Sequence, residues 1–452
     1  MRWMLWCGVM MACGGDGAKD GPVETNDTAS TATTGTTQTT GTTGTTSTRT
    51  ASLTRCEPLP VSGTPSVTLS PEDGVEAIQA ALDEASEGDV IGLEDGTYAL
   101  DRQTLILRTE GVTLAGVSGD AEAVIFDANL GSTVGIRMQA SNTTLRGLTL
   151  IDPFFEGVVI EPSEEDSVDL TGVIVDRVHI INPGRIGILA QSNVSGLQFV
   201  EDGVVSCSEV SLTAEGRARF PTNCPVGGIQ VRRARGWTLS DNHVWDLWCT
   251  EAMADVAIGA REGSRDTIIE RNLVEDCAQG VSLGVPDGVE GRTWSDADCE
   301  EGAVQHVGGV VRNNAIGAVH MEVHVSGAGF YTGLALVDAC DVKALHNTVF
   351  SVEPPTGSAL WLQGATSTGI LANILSSHGL LRRDGALIGV EQVMEDVQGN
   401  AFVYAQEGDF HLSPGAAVGI DEGVTDYAEW CQDDWDGQVR DGAPDLGADE
   451  QI

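Results

Sequence analysis

The chain repeats itself around one slot. TLSDNHV at Asn242, TIIERNLV at Asn272, GVVRNNAI at Asn314, KALHNTV at Asn347 and GILANIL at Asn373 align on an asparagine between apolar residues. TLRGLTL and VIVDRVHI fit the same frame with Leu148 and Val178 in the slot. The slots lie 30 residues apart from 148 to 178 and from 242 to 272, then 42, 33 and 26 apart, with the longest insertion between 178 and 242. A period of this size means one supersecondary unit per repeat, and such a unit buries its apolar face only by stacking on its neighbours.

Each unit carries short strands. The residues three before and two after the slot are apolar, as with Leu239 and Val244 or Ile269 and Val274, and so face a core. A second strand follows in GVVIE at Gly157, GILAQ at Gly187, DVAIG at Asp255, GVSLG at Gly280, GLALV at Gly333 and ALWLQ at Ala359. No tight hairpin joins these strands, so each pairs with its equivalent one unit along, in parallel, and the chain winds as a β-helix. An asparagine in one slot then stacks on itself every ~4.8 Å as a structural ladder. Ahead of the repeats, Val75, Ile78, Ala81, Leu82 and Ala85 recur at helical spacing between Pro71 and Asp89, which predicts one amphipathic helix ended by Gly88.

Before Cys56 nothing can build a core. Arg2 precedes an apolar run from Trp3 to Ala12 that is too short to span a bilayer, so residues 1 to 12 read as an export signal. Met10-Met11-Ala12-Cys13 resembles a bacterial lipoprotein signal, which implies lipid attachment at Cys13 and a membrane as partner; a plain secretory signal is the other reading. Residues 13 to 55 are Thr- and Gly-rich and read as a flexible tether, leaving 56 to 452 as the folded body. The body's eight cysteines form no CxxC pair, so disulfides of an oxidising compartment are expected, with Cys207 to Cys224 the first pairing considered. The chain's formal charge of −43 repels phosphate backbones and excludes nucleic acid as a partner. The same surplus keeps an exported monomer soluble and attracts divalent cations.

Chemistry on such a body sits on an outward strand face or in a cleft beside it. The outward column of the second strand reads Val159, Leu189, Ala257, Ser282, Ala335 and Trp361: no acid or base, and one indole that would stack on a sugar. Beside the asparagine slot stand Arg146, Asp176, Arg177, Asp241, Glu270, Arg271, Arg312 and His346, with His179 and His243 expected in adjacent coils as an acid–base pair or as solvated surface charges. Lys343 is the body's one lysine, so holding a uronate carboxylate falls to arginine, and Arg261-Glu262 with Arg265-Asp266 mark the cleft candidate. In His320-Met321-Glu322-Val323-His324, an extended chain would put His320, Glu322 and His324 on one face as metal ligands. Asp433-Asp434-Trp435-Asp436-Gly437 is partly calcium-like and is expected to close the open end of the helix, with Ca2+ as the one cofactor suggested.

The asparagine coils, the helix VEAIQAALDEASEGDVIGLEDGTY and the ending FHLSPGAAVGIDEG…DDWDGQVRDGAPDLGADE together resemble the pectate-lyase-like superfamily over residues 65 to 452. The ending is most similar to large envelope β-helix proteins. The resemblance implies an all-β, right-handed parallel β-helix with one N-terminal capping helix. It implies no single activity, because the superfamily holds lyases, hydrolases, esterases and non-catalytic surface proteins. Two functions fit: an envelope-anchored β-helix that binds polysaccharide or another surface, and a carbohydrate-active lyase or hydrolase built from the insertions at 191 to 235, 285 to 308 and 317 to 332.

Overall fold

The computed structural model describes residues 56 to 452, except 166, 287, 290, 300 to 303, 441 and 452. Cys13 and the segments 1 to 12 and 13 to 55 lie outside them. The body is a right-handed parallel β-helix. Two long sheets run its length, one of 19 strands and one of 10, and the strands pair in parallel with their counterparts one coil along. The first sheet is bent into two arms. In some coils one long strand serves both, as in Thr144–Ile151 and Ile174–Ile181. In others the strand breaks at the bend, as between Thr238–Ser240 and His243–Trp245.

The bend has a backbone cause. Gly147, Arg177, Cys207, Asp241, Arg271, Asn313, His346, Asn373 and Gln392 form a column in which every residue is left-handed, with φ between 47° and 61°. A single left-handed residue turns a strand sharply, and for a side chain with a Cβ it costs on the order of 1 kcal/mol that the stack must offset. The residue after it turns inward. There Asn242, Asn272, Asn314 and Asn347 form a fully buried ladder. The Oδ1 of Asn272 accepts both the backbone N–H and the Nδ2 of Asn242, each at 3.0 Å, while its own Nδ2 donates to Leu239 O at 2.9 Å and Asn314 Oδ1 at 2.8 Å. Asn314 and Asn347 repeat the pattern.

Asn373 is not a rung. The register pairs Leu345 with Ala372 and Thr348 with Leu375, so Asn373 falls in the left-handed column and Ile374 takes the inward slot. The long step from 178 to 242 is also resolved, because it hides a complete coil. Val204–Ser206 and Glu209–Ser211 are its two arms, and Ser208 stands in the slot with its N–H bonded to Asn242 Oδ1 at 3.0 Å.

The helix Gly74–Glu84 buries Val75, Ile78 and Leu82 against the first coils. The remaining α-helical segments among the described residues, Ala214–Arg217 and Met321–His324, are single turns. Both ends of the body lie along its flank as straps on the left-handed column. At the N-terminal strap Cys56 is disulfide-bonded to Cys207, and Arg177 Nε donates to Glu57 O at 2.8 Å. At the C-terminal strap Asn313 Nδ2 reaches Asp433 O at 2.7 Å, Asn373 Nδ2 reaches Val424 O at 2.9 Å and Gln392 Nε2 reaches Glu422 O at 2.8 Å. His346 Nδ1 lies 3.1 Å from Asp445 O. The segment around Asp433 to Gly437 therefore clamps the side of the stack and does not close its end. The other disulfides are Cys224–Cys249 and Cys299–Cys340, so Cys207 does not pair with Cys224: Cys207 sits on the bend under the strap, and Cys224 faces Cys249. Cys277 and Cys431 are buried and free. Three disulfides suit a protein outside the reducing cytoplasm.

Candidate functional site

The outward column of the second sheet runs Arg137, Val159, Leu189, Gln230, Gly259, Ser282, Ala335 and Trp361 by strand register. Ala257 does not belong to it; Gly259 takes that place. The coil hidden between 178 and 242 supplies Gln230, and an earlier coil supplies Arg137, so the column is not free of charge. One step further along, Arg232 and Arg261 stand side by side, following Glu161 and Gln191 of the preceding coils. The sequence reading found Arg261 and Glu262 and missed Arg232 and Arg233. Their signal was VRRAR at 231 to 235, which aligns with the Arg261 strand once Ser208 is recognised as a slot.

These side chains form an array of separate hydrogen-bonded groups that follow one another from coil to coil. Arg261 grips Asp255 with two bonds, Nη1 to Oδ1 at 3.0 Å and Nη2 to Oδ2 at 2.7 Å, and Nη2 also reaches Gln230 Oε1 at 2.8 Å. Arg232 Nη2 donates to the same Gln230 oxygen at 2.7 Å, while Glu262 lies 3.8 Å from Arg232 Nε and 3.4 Å from Arg233 Nε. Upstream, Arg185 pairs with Glu156 at 2.5 Å, Arg137 pairs with Glu161, and Gln191 Nε2 donates to Glu161 at 2.8 Å. Burial works to raise the Asp255 carboxyl, but the Arg261 cation and its bonds, with help from Gln230 and the Val256 N–H, hold it below the ordinary range. Burial, reinforced by the Arg261 charge, lowers the pKa of Arg232 against the pull of Glu262 and Asp255.

Aromatic rings border the array. Phe154 and Phe155 are 49% and 37% exposed, with ring centroids 4.7 Å apart, and the Arg185 guanidinium lies 5.3 Å from the Phe155 centroid. Beyond Arg233, Arg292 stacks between Phe199 at 3.9 Å and Trp294 at 4.1 Å while bonding Glu201 at 2.8 Å. Arg265 belongs to this border, paired with Asp296 at 2.7 Å and with Asp266 at 3.2 Å. The two dipeptides that the sequence grouped therefore serve different places: Arg261 and Glu262 the array, Arg265 and Asp266 its rim.

The other sequence candidates are dispersed. His179 and His243 are not in adjacent coils, because Glu209 of the hidden coil stands between them. His243 bonds the buried Glu275 at 2.6 Å. His320, Glu322 and His324 are not on an extended strand, since residues 321 to 324 form a helical turn. His320 Nδ1 instead meets Asp276 at 2.6 Å, and His324 Nε2 meets Ala318 O at 3.0 Å. Trp361 is 3% exposed beneath Tyr331 and Arg383, which leaves no open face for a sugar ring. Arg177, Arg271 and His346 hold the terminal straps, and Lys343 lies 4.5 Å over Trp430 in the C-terminal one. The carboxylates of the calcium-like loop diverge. Asp433 faces Arg271 at 3.5 Å, Asp434 accepts the Gln438 N–H at 2.7 Å, and Asp436 meets His411 at 2.9 Å.

No family model matches the sequence, and no curated protein matches it. Among solved structures the fold is similar to the pectate lyase Pel9A, with a TM-score of 0.50 and 12% identity over 86% of this chain and 97% of that one. A polygalacturonase from Erwinia carotovora ssp. carotovora matches with a TM-score of 0.37 and 11% identity over 75% and 97% of the two chains. An alginate lyase from Paenibacillus sp. FPU-7 matches with a TM-score of 0.37 and 14% identity over 73% and 99%.

Proposed function

We propose that the protein binds an acidic polysaccharide outside the cytoplasm, along the outward face of the second sheet between Phe155 and Arg292. The observation that carries this reading is the array itself. Planar guanidinium, carboxylate and amide groups recur from coil to coil beside two exposed phenyl rings, the combination of fixed polar forks and apolar platform by which a protein orients a polar ligand. Arginine is concentrated here in a chain with 24 basic and 67 acidic residues, so this face is where an anionic glycan meets least repulsion. Lipid anchoring at Cys13 belongs to the same reading, supported by the apolar run that ends there.

A glycosidase would need one carboxyl held protonated opposite a second, ionised one. Asp255 at the centre of the array is held ionised and doubly bonded by Arg261, which favours binding over hydrolysis. The test is retention of the purified full chain on a panel of acidic and neutral glycans, with release of unsaturated and reducing ends followed in parallel. Retention on an acidic glycan should weaken about tenfold, about 1.4 kcal/mol, in Phe155→Ala and in Arg185→Ala. New unsaturated ends would replace this reading with a lyase, and reducing ends alone with a hydrolase.

A further inference from the structure

Outside the second sheet, one cluster has the composition of a metal centre. The hairpin strand Asp409–Leu412 carries His411, and the C-terminal strap brings Asp436 and Asp449 against it. One ligand atom from each lies within 4.8 Å of the others, and this is the group of that kind among the described residues. We propose that His411, Asp436 and Asp449 bind a divalent first-row transition-metal ion, of which zinc is the type, with an open coordination position facing the cavity beside them.

Three features support the site. Two of the three ligands are oriented by groups that are not themselves ligands: Asp409 Oδ1 sits 2.6 Å from His411 Nδ1, Trp435 stacks on the same imidazole at 5.1 Å, and the Leu412 N–H donates to Asp449 at 2.6 Å. The carboxylate behind the imidazole directs Nε2 toward the ion, as outer-shell partners of metal-binding histidines do. A cavity of about 540 Å³, lined by His411, Pro414, Gln438 and Asp449, opens directly onto the cluster and gives ion and solvent access. An imidazole among carboxylates selects zinc and its neighbours over calcium and magnesium, which take oxygen ligands. This ligand set differs from the calcium expected of residues 433 to 437, since Asp436 alone is shared.

The experiment is calorimetric titration of the metal-stripped full chain with zinc, and separately with calcium. One zinc per chain with a raised melting temperature is expected, and weaker binding of calcium. Asp409→Asn should bind zinc ~10 to 100 times more weakly, the usual cost of losing an outer-shell partner. Asp436→Asn, at a solvent-exposed carboxylate, should lose the stoichiometric site, with the metal-free melting temperature lowered by no more than one exposed pair with His411 contributes. Anomalous scattering at the zinc edge from soaked wild-type crystals needs no variant and should place the ion between the three side chains. Absence of saturable 1:1 binding, wild-type affinity in Asp436→Asn, preference for calcium, or an anomalous peak elsewhere would each overturn the assignment.

Discussion

At His306 the chain buries an imidazole completely, with Nε2 3.0 Å from Thr267 Oγ1, and burial pushes its pKa down to about 3. The unfolded chain protonates an ordinary histidine near pH 6.5, so on acidification the unfolded state takes up the proton first. The stability that the neutral imidazole contributes is therefore intact above about pH 6.5 and drains as the pH falls toward 3. At pH 4.5 the loss is about 2 to 3 kcal/mol. Denaturant titrations of wild type and His306→Asn from pH 7 to 4.5 should show a shallower loss in the variant; parallel slopes would refute the assignment. Single residues were also where the sequence was most and least readable. The rungs from Asn242 to Asn347 were visible because an amide in an apolar repeat has one economical use. Asn373 looked identical in sequence yet sits one position earlier, because only the register of Leu345 on Ala372 separates the bend from the slot.

Among the elements, the C-terminal strap has one side chain on which many of its own contacts converge. The Arg440 side chain is buried, pairs with Glu450 at 3.0 Å and donates to Asp433 O at 3.1 Å, Gly447 O at 3.0 Å, Ala448 O at 2.9 Å and Asn313 Oδ1 at 3.0 Å. Its guanidinium links the strap's own carbonyls and ties them to the stack. Replacing it with Met would leave Glu450 buried without its cation, at a cost of about 3 to 5 kcal/mol. We expect limited proteolysis of Arg440→Met to trim the strap from residue 421 onward while the coils remain resistant. The capping helix was legible because its apolar spacing is local. The strap was not: its residues alternate Gly, Asp and Pro without a period, and what they cover is decided by side chains about 100 residues away, such as His346. The hidden coil shows the same limit, since a serine in the slot carries no signal unless the 30-residue period is imposed on it.

For the whole molecule, stacking of like on like makes stability a matter of neighbours, each coil holding the next. The straps are the exception, because they join coils that do not touch. The Cys56–Cys207 bridge closes a span of 151 residues, and removing it as Cys56→Ser should cost about 4 to 5 kcal/mol by loop-closure entropy. Non-reducing thermal unfolding of that variant against wild type measures it, and an unchanged melting temperature would show that the strap adds nothing. The large-scale shape was readable from sequence for the reason that the repeat is, whereas the array around Arg232 and Arg261 depended on getting every coil counted.

The bridge has a mechanical meaning as well. Because Cys56 is bonded covalently to Cys207, a pull applied to the body at Cys56 arrives in the interior of the stack and not at its first coil. The capping helix and first coils lie outside that load path, so under such a pull the body would behave like a beam hung near its middle and would not unwind from its end like thread from a spool.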